Sequence, residues 1–301
     1  MLKNWLLVLR PWSFTATIIP LSLGAALAWD EGIFDPILFF ATILAGLAVH
    51  AGTNLSNTYG DYVTGVDTLE SASHLQVVSG LIEAEAVKKA AYAFFAVAAL
   101  IGFWLSYLRG WPVLAIGVIG LICGYCYTMG PRPYKYDGLG PIAIFFLMGP
   151  MMVWPAYYIQ TGHGSWAQAL ASLPICCLIS GFHLSNDIRD MIHDRSAGIK
   201  TLALILGIDR SMLLYYSLFR GAFLFTVILV AFGILPLMAA LPLLLWPQLL
   251  NMFSFARSAV QTDDYSKLRL LEGAAAGFHF KFGSLLVVGT ALQPLLHYLP
   301  R

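Results

Sequence analysis

Two short stretches of this chain hold side chains that could do chemistry together. The first, NLSNTYGDYVTGVDT, runs from Asn54 to Thr68, and the second, NDIRDMIHDRSAGIKT, from Asn186 to Thr201. In each an Asn precedes an Asp by four residues: Asn57 with Asp61, and Asn186 with Asp190. Positions four apart share a helix face. A helix through the first stretch therefore lines up His50, Asn54, Asn57 and Asp61, and Gly65 ends it, leaving Asp67 in the loop behind. A helix through the second stacks Asn186, Asp190 and Asp194, with His183 and Asp187 beside them. Two carboxylates about 6 Å apart, at an effective dielectric near 20, repel by roughly 3 kcal/mol. Five converging aspartates repeat that cost unless a multivalent cation sits among them. Hard oxygen donors without a thiolate favour Mg²⁺, which keeps waters and completes its shell with phosphate oxygens. The two stretches thus read as halves of a Mg²⁺–phosphate site. The competing reading, ordinary solvated charges, is preferred for Glu83, Glu85, Asp209, Asp263 and Asp264.

Apolar helices must position these groups. The 301 residues are 59% hydrophobic and 11% charged, against roughly 25% charged in a soluble domain. The expectation is an all-α polytopic membrane protein that forms a single domain over residues 1–301. A crossing needs about 20 mostly apolar residues. Nine such segments can be read, at 12–29, 36–56, 88–107, 112–129, 140–159, 167–186, 211–233, 236–254 and 279–298. Ala26-Leu27-Ala28 resembles a leader-peptidase site, but the long segment around it, with Pro20, reads as an uncleaved helix. With the N-terminus in the cytoplasm, all 17 Lys and Arg residues except Arg109, Arg220 and Arg301 fall on the cytoplasmic side. That bias sets the expected orientation in a cytoplasmic membrane, with the C-terminus outside. Cytoplasmic loops are expected at 57–87, 130–139, 187–210 and 255–278, so the Asp-rich stretches sit at the inner mouth. The net charge of +1, with no basic run, gives no reason to expect nucleic acid. Cys123 and Cys126 form a CxxC pair with no second pair at zinc spacing, and read with Cys176 and Cys177 as packing residues.

These motifs have a family likeness. NLSNTYGDYVTGVDT, YTMGPRPYKYDGLG from Tyr127, NDIRDMIHDRSAGIKTLA from Asn186 and RPWSF from Arg10 occur in order across essentially the whole chain. The pattern resembles the UbiA superfamily of intramembrane prenyltransferases, most closely its 1,4-dihydroxy-2-naphthoate polyprenyltransferase (MenA) branch. The resemblance implies nine helices around a central cavity and Mg²⁺-dependent transfer from a prenyl diphosphate to an aromatic acceptor, dihydroxynaphthoate, with loss of CO₂. It implies Mg²⁺ at Asp61, Asp67, Asp190 and Asp194, with Asp187 alongside. Asp61, Asp190, Asn57 and Tyr127 become the expected catalytic residues. Arg132, Lys135, Arg189 and Lys200 become a diphosphate clamp, and Asn54, Asn186 and Tyr134 further substrate contacts. Arg189, off the Asp190 stripe, is expected either to clamp phosphate or to pair with a neighbouring carboxylate.

Two departures stand out. Thr58 replaces the first Asp of the usual motif, and no Lys or Arg lies between Asp61 and Lys88, leaving His74 or Gln76 to stand in. Aromatic faces can stabilise an allyl cation by roughly 0.5–2 kcal/mol, and Tyr59, Tyr62, Tyr127, Tyr134 and Tyr136 are candidates alongside an interfacial role. His50 and His183 read as acceptor contacts or as packed core histidines. Arg220, inside the seventh segment, reads as functional or as snorkelling. Three rivals remain: another acceptor such as 4-hydroxybenzoate, a cation-coupled transporter, and a non-catalytic homologue, suggested by Thr58 and the missing basic residue. The transporter fits less well, because its carboxylates belong near the midplane.

Overall fold

The computed structural model describes residues 1–69, 75–131, 133–261 and 265–298. The chain is helical in the order α1 (Leu2–Leu9), α2 (Thr15–Asp30), α3 (Pro36–Val63), α4 (Leu75–Val78), α5 (Ala84–Arg109), α6 (Trp111–Cys126) and α7 (Gly140–Leu147). It continues with α8 (Pro150–Thr161), α9 (Trp166–Ala171), α10 (Leu173–Ser196), α11 (Leu202–Leu206), α12 (Ile208–Ala231), α13 (Trp246–Gln261) and α14 (Tyr265–Leu292). Among the described residues, seven helical stretches are long and apolar enough to cross a membrane. Helix α6 is apolar but shorter, and the expected sixth segment falls on α9 and α10.

The two helices that carry the Asp clusters have well-defined ends. Asp35 caps α3 by accepting from the Ile37 and Leu38 amides at 2.8 and 3.1 Å, with Pro36 in the first turn. This is the side-chain and proline chemistry that helix N-termini prefer. Gly65, at φ 73°, follows the last turn, the left-handed stop that glycine makes without a Cβ penalty. Helix α10 likewise ends just before Gly198 at φ 72°.

Packing is tightest where side chains are smallest. A Cβ on Gly24 of α2 would lie 2.3 Å from the Val153 carbonyl of α8, so glycine is what lets these two backbones touch. Tyr215 and Phe219 of α12, Phe278 and Phe282 of α14 and Leu184 and Ile188 of α10 form one buried cluster. It packs α12 and α14 against α10, the helix that carries the second Asp-rich stretch. Phe40 and Leu100 point outward, 62% and 72% exposed, as lipid-facing residues do.

The expected loops are largely helical. Helix α3 runs through Asp61 to Val63, α10 through Asp194 to Ser196, and the 255–278 segment is helical up to Gln261 and again from Tyr265. Hydropathy marks where a helix meets lipid; intrahelical hydrogen bonding continues past that border wherever no breaker intervenes. The 140–159 segment is two helices broken at Met148–Gly149, and the 236–254 segment begins as a 3₁₀ stretch, Leu237–Leu245.

Candidate active site

A cavity of about 740 Å³ opens among α2, α3, α5, α6, α8 and α10. On α3 its lining runs from Thr42 to Asp61, about 28 Å of helix at 1.5 Å per residue. One end is apolar, walled by Leu105, Val113, Leu147, Met151 and Ile159; the other holds both Asp-rich stretches. Asn54, Asn57, Asp61, Asp67, Tyr127, Tyr134, Lys135, Asn186, Asp187, Arg189, Asp190 and Asp194 all line it. The two clusters, far apart in the chain, therefore share one chamber.

Asp61 is the hub of the first cluster. Lys135 donates to its Oδ1 and Oδ2 at 2.9 and 2.6 Å, Tyr136 to Oδ1 at 2.6 Å, and Asn57 to Oδ2 at 2.9 Å. Asp61 is only 5% exposed. It is a buried, fully partnered carboxylate rather than the loose helix-end charge that its place in the sequence predicts. The spacing of Lys135 conceals this pairing, because the residue arrives on the 3₁₀ turn Tyr134–Tyr136. Burial and the Asp61 charge push the Tyr136 phenol well above its ordinary range, so it remains a donor. Asp67 sits in the turn after α3, its amide bonded to the Asp61 carbonyl at 3.0 Å. Burial, with Asp61 adding repulsion, raises its carboxyl to about 6.

Arg10 is the residue that the spacing arguments missed as a site group; the RP pair in RPWSF was its only signal. It stands at φ 54° between α1 and the 3₁₀ turn Pro11–Phe14. From there Nη1 donates to Asn57 Oδ1 at 3.1 Å and Nη2 to Thr58 Oγ1 at 3.2 Å. Asn54 gives its amide to the Leu9 carbonyl at 2.9 Å and to Ser13 Oγ at 3.1 Å, so it anchors this corner as well as lining the cavity. His50 is satisfied by Thr17 at 2.7 Å and Ser13 at 3.1 Å, the packed-core alternative.

The second cluster is arranged differently. Arg189 grips Asp190 through Nε at 2.7 Å and Nη2 at 2.5 Å, and also meets Glu272 of α14. Of its two expected arrangements, this is the carboxylate pairing, and it leaves Arg189 in the cavity lining. Glu272 lines the cavity too; it fell in an expected loop and carried no sequence signal. Asp187 faces His183 at 3.7 Å, and His183 Nε2 meets the Tyr127 hydroxyl at 2.7 Å. The Tyr127 and Tyr134 rings meet edge to face at 5.3 Å, and Tyr134 donates to the Cys123 carbonyl at 3.0 Å. Asn186 Oδ1 is buried without a partner.

Some expected residues lie elsewhere. Lys200 is exposed, and its amide bonds to the Tyr136 carbonyl at 3.2 Å. It is outside the cavity lining, so the diphosphate clamp expected of it has no support in its position. Arg132 and His74 lie outside the described residues. Gln76 is not in the lining either. Arg220 is exposed and stacks over Phe253 at 5.3 Å; its aliphatic stem lies on the helix surface, away from the chamber.

The donor set suits Mg²⁺ only in a particular way. Among the described residues, no three carboxylates, histidines or thiols converge to cage an ion. Mg²⁺ rarely needs such a cage, since one or two carboxylates plus substrate phosphates suffice. Several carboxylates in one chamber, with a buried, unpartnered Asn186 carbonyl oxygen, fit an ion that arrives with a diphosphate.

Comparison with known proteins agrees with this arrangement. The UbiA prenyltransferase family matches residues 17–272. The 1,4-dihydroxy-2-naphthoate octaprenyltransferase of Bacillus subtilis (strain 168) is 34% identical over 229 residues, covering 74% of this chain and 72% of its own. The human UbiA prenyltransferase domain-containing protein 1 is also 34% identical, over 299 residues, covering 97% and 86%. Among solved structures, an apo UbiA homolog from Aeropyrum pernix K1 superimposes with a TM-score of 0.70 at 14% identity, covering 94% of this chain and 98% of that one. A UbiA homolog from Archaeoglobus fulgidus bound to GPP and Mg²⁺ gives 0.60 at 15% identity, covering 95% and 99%. With a membrane-helix bundle, a shared polar chamber and these matches together, the chain belongs to the UbiA prenyltransferase family and is a polytopic membrane enzyme of prenyl transfer.

Proposed function

We propose that this enzyme moves a polyprenyl group from its diphosphate to 1,4-dihydroxy-2-naphthoate, with Mg²⁺ and with loss of CO₂. One observation carries the reading: a single cavity joins a mouth rich in carboxylates and cations to an apolar hall long enough for an isoprenoid tail. When bound, Mg²⁺ would supply Lewis-acid stabilisation of the diphosphate leaving group. Asp67, Asp190 and Asp194, with Asn186, would hold it: Asp61 is buried under three donors, whereas Asp190, though paired with Arg189, keeps its side chain 31% exposed. The allylic C–O bond breaks with its electron pair on the diphosphate. The ring carbon bearing the carboxylate bonds to the allyl carbon, and CO₂ departs, leaving its electron pair to restore the aromatic ring. Tyr127 and Tyr134 turn aromatic surface toward the reacting carbon and exclude water, and His183 and Asn57 orient polar groups around it.

The naphthoate acceptor rests on the motif details and on likeness to the Bacillus subtilis octaprenyltransferase. The equally similar human relative does not bear on that choice. A nine-crossing topology is part of the proposal, with α6 and α9–α10 completing the seven long apolar stretches and the N-terminus in the cytoplasm of a cytoplasmic-membrane protein. The test is direct. Purified protein, Mg²⁺ and geranylgeranyl diphosphate are incubated with dihydroxynaphthoate or with 4-hydroxybenzoate, and products are identified by mass. A prenylated, decarboxylated naphthoquinol is expected from the first acceptor alone; product only from the second would move the enzyme to another branch.

A further inference from the structure

Resting on that Mg²⁺–diphosphate reading, we propose that Arg10 binds one phosphoryl group of the donor directly, in the place of a second divalent ion. The site then takes a single ion, on its α10 side. Arg10 is the only non-glycine residue at positive φ among those described, a backbone setting that surrounding structure must hold in place. That turn swings its guanidinium across to α3, where both bonded acceptors, Asn57 Oδ1 and Thr58 Oγ1, are neutral. Its Nε is buried without a partner. Among the described residues no carboxylate lies within ion-pair distance of it. A guanidinium partly withdrawn from water with no carboxylate bonded to it is costly, and a phosphoryl group matches its planar fork. Arg10 faces the chamber that the donor would enter.

Thr58 decides what this face of α3 can hold. A carboxylate there would pair with Arg10 and offer a metal ligand; the hydroxyl does neither. The remaining helical carboxylate, Asp61, has both oxygens covered by Lys135, Tyr136 and Asn57. An arriving divalent ion therefore meets the Arg10 guanidinium and the Lys135 ammonium on the α3 side of the chamber. Across the chamber the balance reverses: Asp187, Asp190, Asp194 and Glu272 line the wall with one guanidinium, that of Arg189. Asn186 Oδ1 supplies a buried, unpartnered oxygen beside them. Asp67, within electrostatic reach of Asp61 and Asp190 alike, is the carboxylate of the first cluster able to join an ion held there.

The experiment counts ions directly. Full-length protein in detergent is titrated with Mn²⁺ in the presence of geranyl S-thiolodiphosphate, an unreactive donor analogue, and free Mn²⁺ is read by electron paramagnetic resonance. One Mn²⁺ per wild-type chain is expected. Arg10→Gln is expected to weaken analogue binding about 10- to 100-fold, the range for losing hydrogen bonds to a charged group, with the ion count unchanged. Thr58→Asp leaves Arg10 in place but gives it a carboxylate, and is expected to weaken the analogue as well, so the idea stays testable if Arg10→Gln does not fold. Two ions per wild-type chain, or unchanged analogue affinity in the folded variants, would overturn the proposal while leaving prenyl transfer standing. A wild-type chain that binds neither Mn²⁺ nor the analogue would overturn both readings.

Discussion

The two Asp-rich clusters look alike as sequence and differ as structure. On α3, Asp61 is buried and held by a lysine, a tyrosine and an asparagine, while Arg10 caps Asn57 and Thr58. On α10, Asp190 is gripped by its own neighbour Arg189, and Asp187 and Asp194 have no lysine or arginine ion-pair partner among the described residues. The first cluster is thus close to charge-balanced by the protein itself and the second carries a surplus of carboxylate. Motif likeness reports which residue types recur; it does not report which of them already have counter-charges.

The comparison can be broken at its strongest point first. Asp190→Ala removes a carboxylate from the surplus side, and its partner Arg189 retains Glu272. Product formation is expected to fall by about 10³-fold, the upper range for losing one preorganised electrostatic group, with the thermal unfolding midpoint little changed. Asp61→Asn should differ in kind. It strands Lys135, whose side chain is 20% exposed, and breaking a buried pair costs about 3 kcal/mol or more. Thermal unfolding should therefore fall for Asp61→Asn and hold for Asp190→Ala; equal losses of stability would erase the distinction between the clusters.

Acidity supplies a smaller and more specific test. Asp67 is raised from 3.8 to about 6 by burial, with Asp61 adding to it, so below pH 6 it holds a proton that a metal ion must displace. Asp194, raised to about 7 by burial and then by Asp190, holds a proton there as well, so apparent Mg²⁺ affinity should fall about ten- to a hundredfold per pH unit below 6, the slope for one or two protons exchanged. The sign for stability is opposite. A carboxyl whose folded value exceeds its unfolded one contributes stability fully below 3.8 and loses it as pH rises through 6, in the absence of metal. Calorimetric Mg²⁺ titrations at pH 5 and pH 7 in the presence of a donor analogue check the first, and Asp67→Asn should flatten the dependence. The smallest effect belongs to Lys200→Ala. Because the side chain lies outside the chamber, turnover should change by less than about threefold, as for ordinary surface substitutions.

Much of this was legible in the residues. Gly65 ends α3 where its backbone freedom predicts, and His50, Asn54, Asn57 and Asp61 share a face because helix periodicity is local. What could not be read were the partners. Glu272 lies in the polar 255–278 stretch, which reads as a loop, since hydropathy says nothing about a charged helix beyond the lipid border; it sits on α14. Nothing near Asp61 in the chain announces Lys135, so this counter-charge is invisible in the sequence.

The sequence by itself determined a membrane-embedded helical chain, the four-residue rhythm of both Asn–Asp pairs and the motif order that assigns the family. These depend on composition and on contacts within a turn or two, which any helix of this sequence would make. Tertiary structure alone decided that Arg10 meets residues 47 and 48 positions away and that Lys135 meets Asp61 across 74. Those pairings exist only once helices pack, because burial is what makes an unmatched charge costly and so selects which groups must find each other.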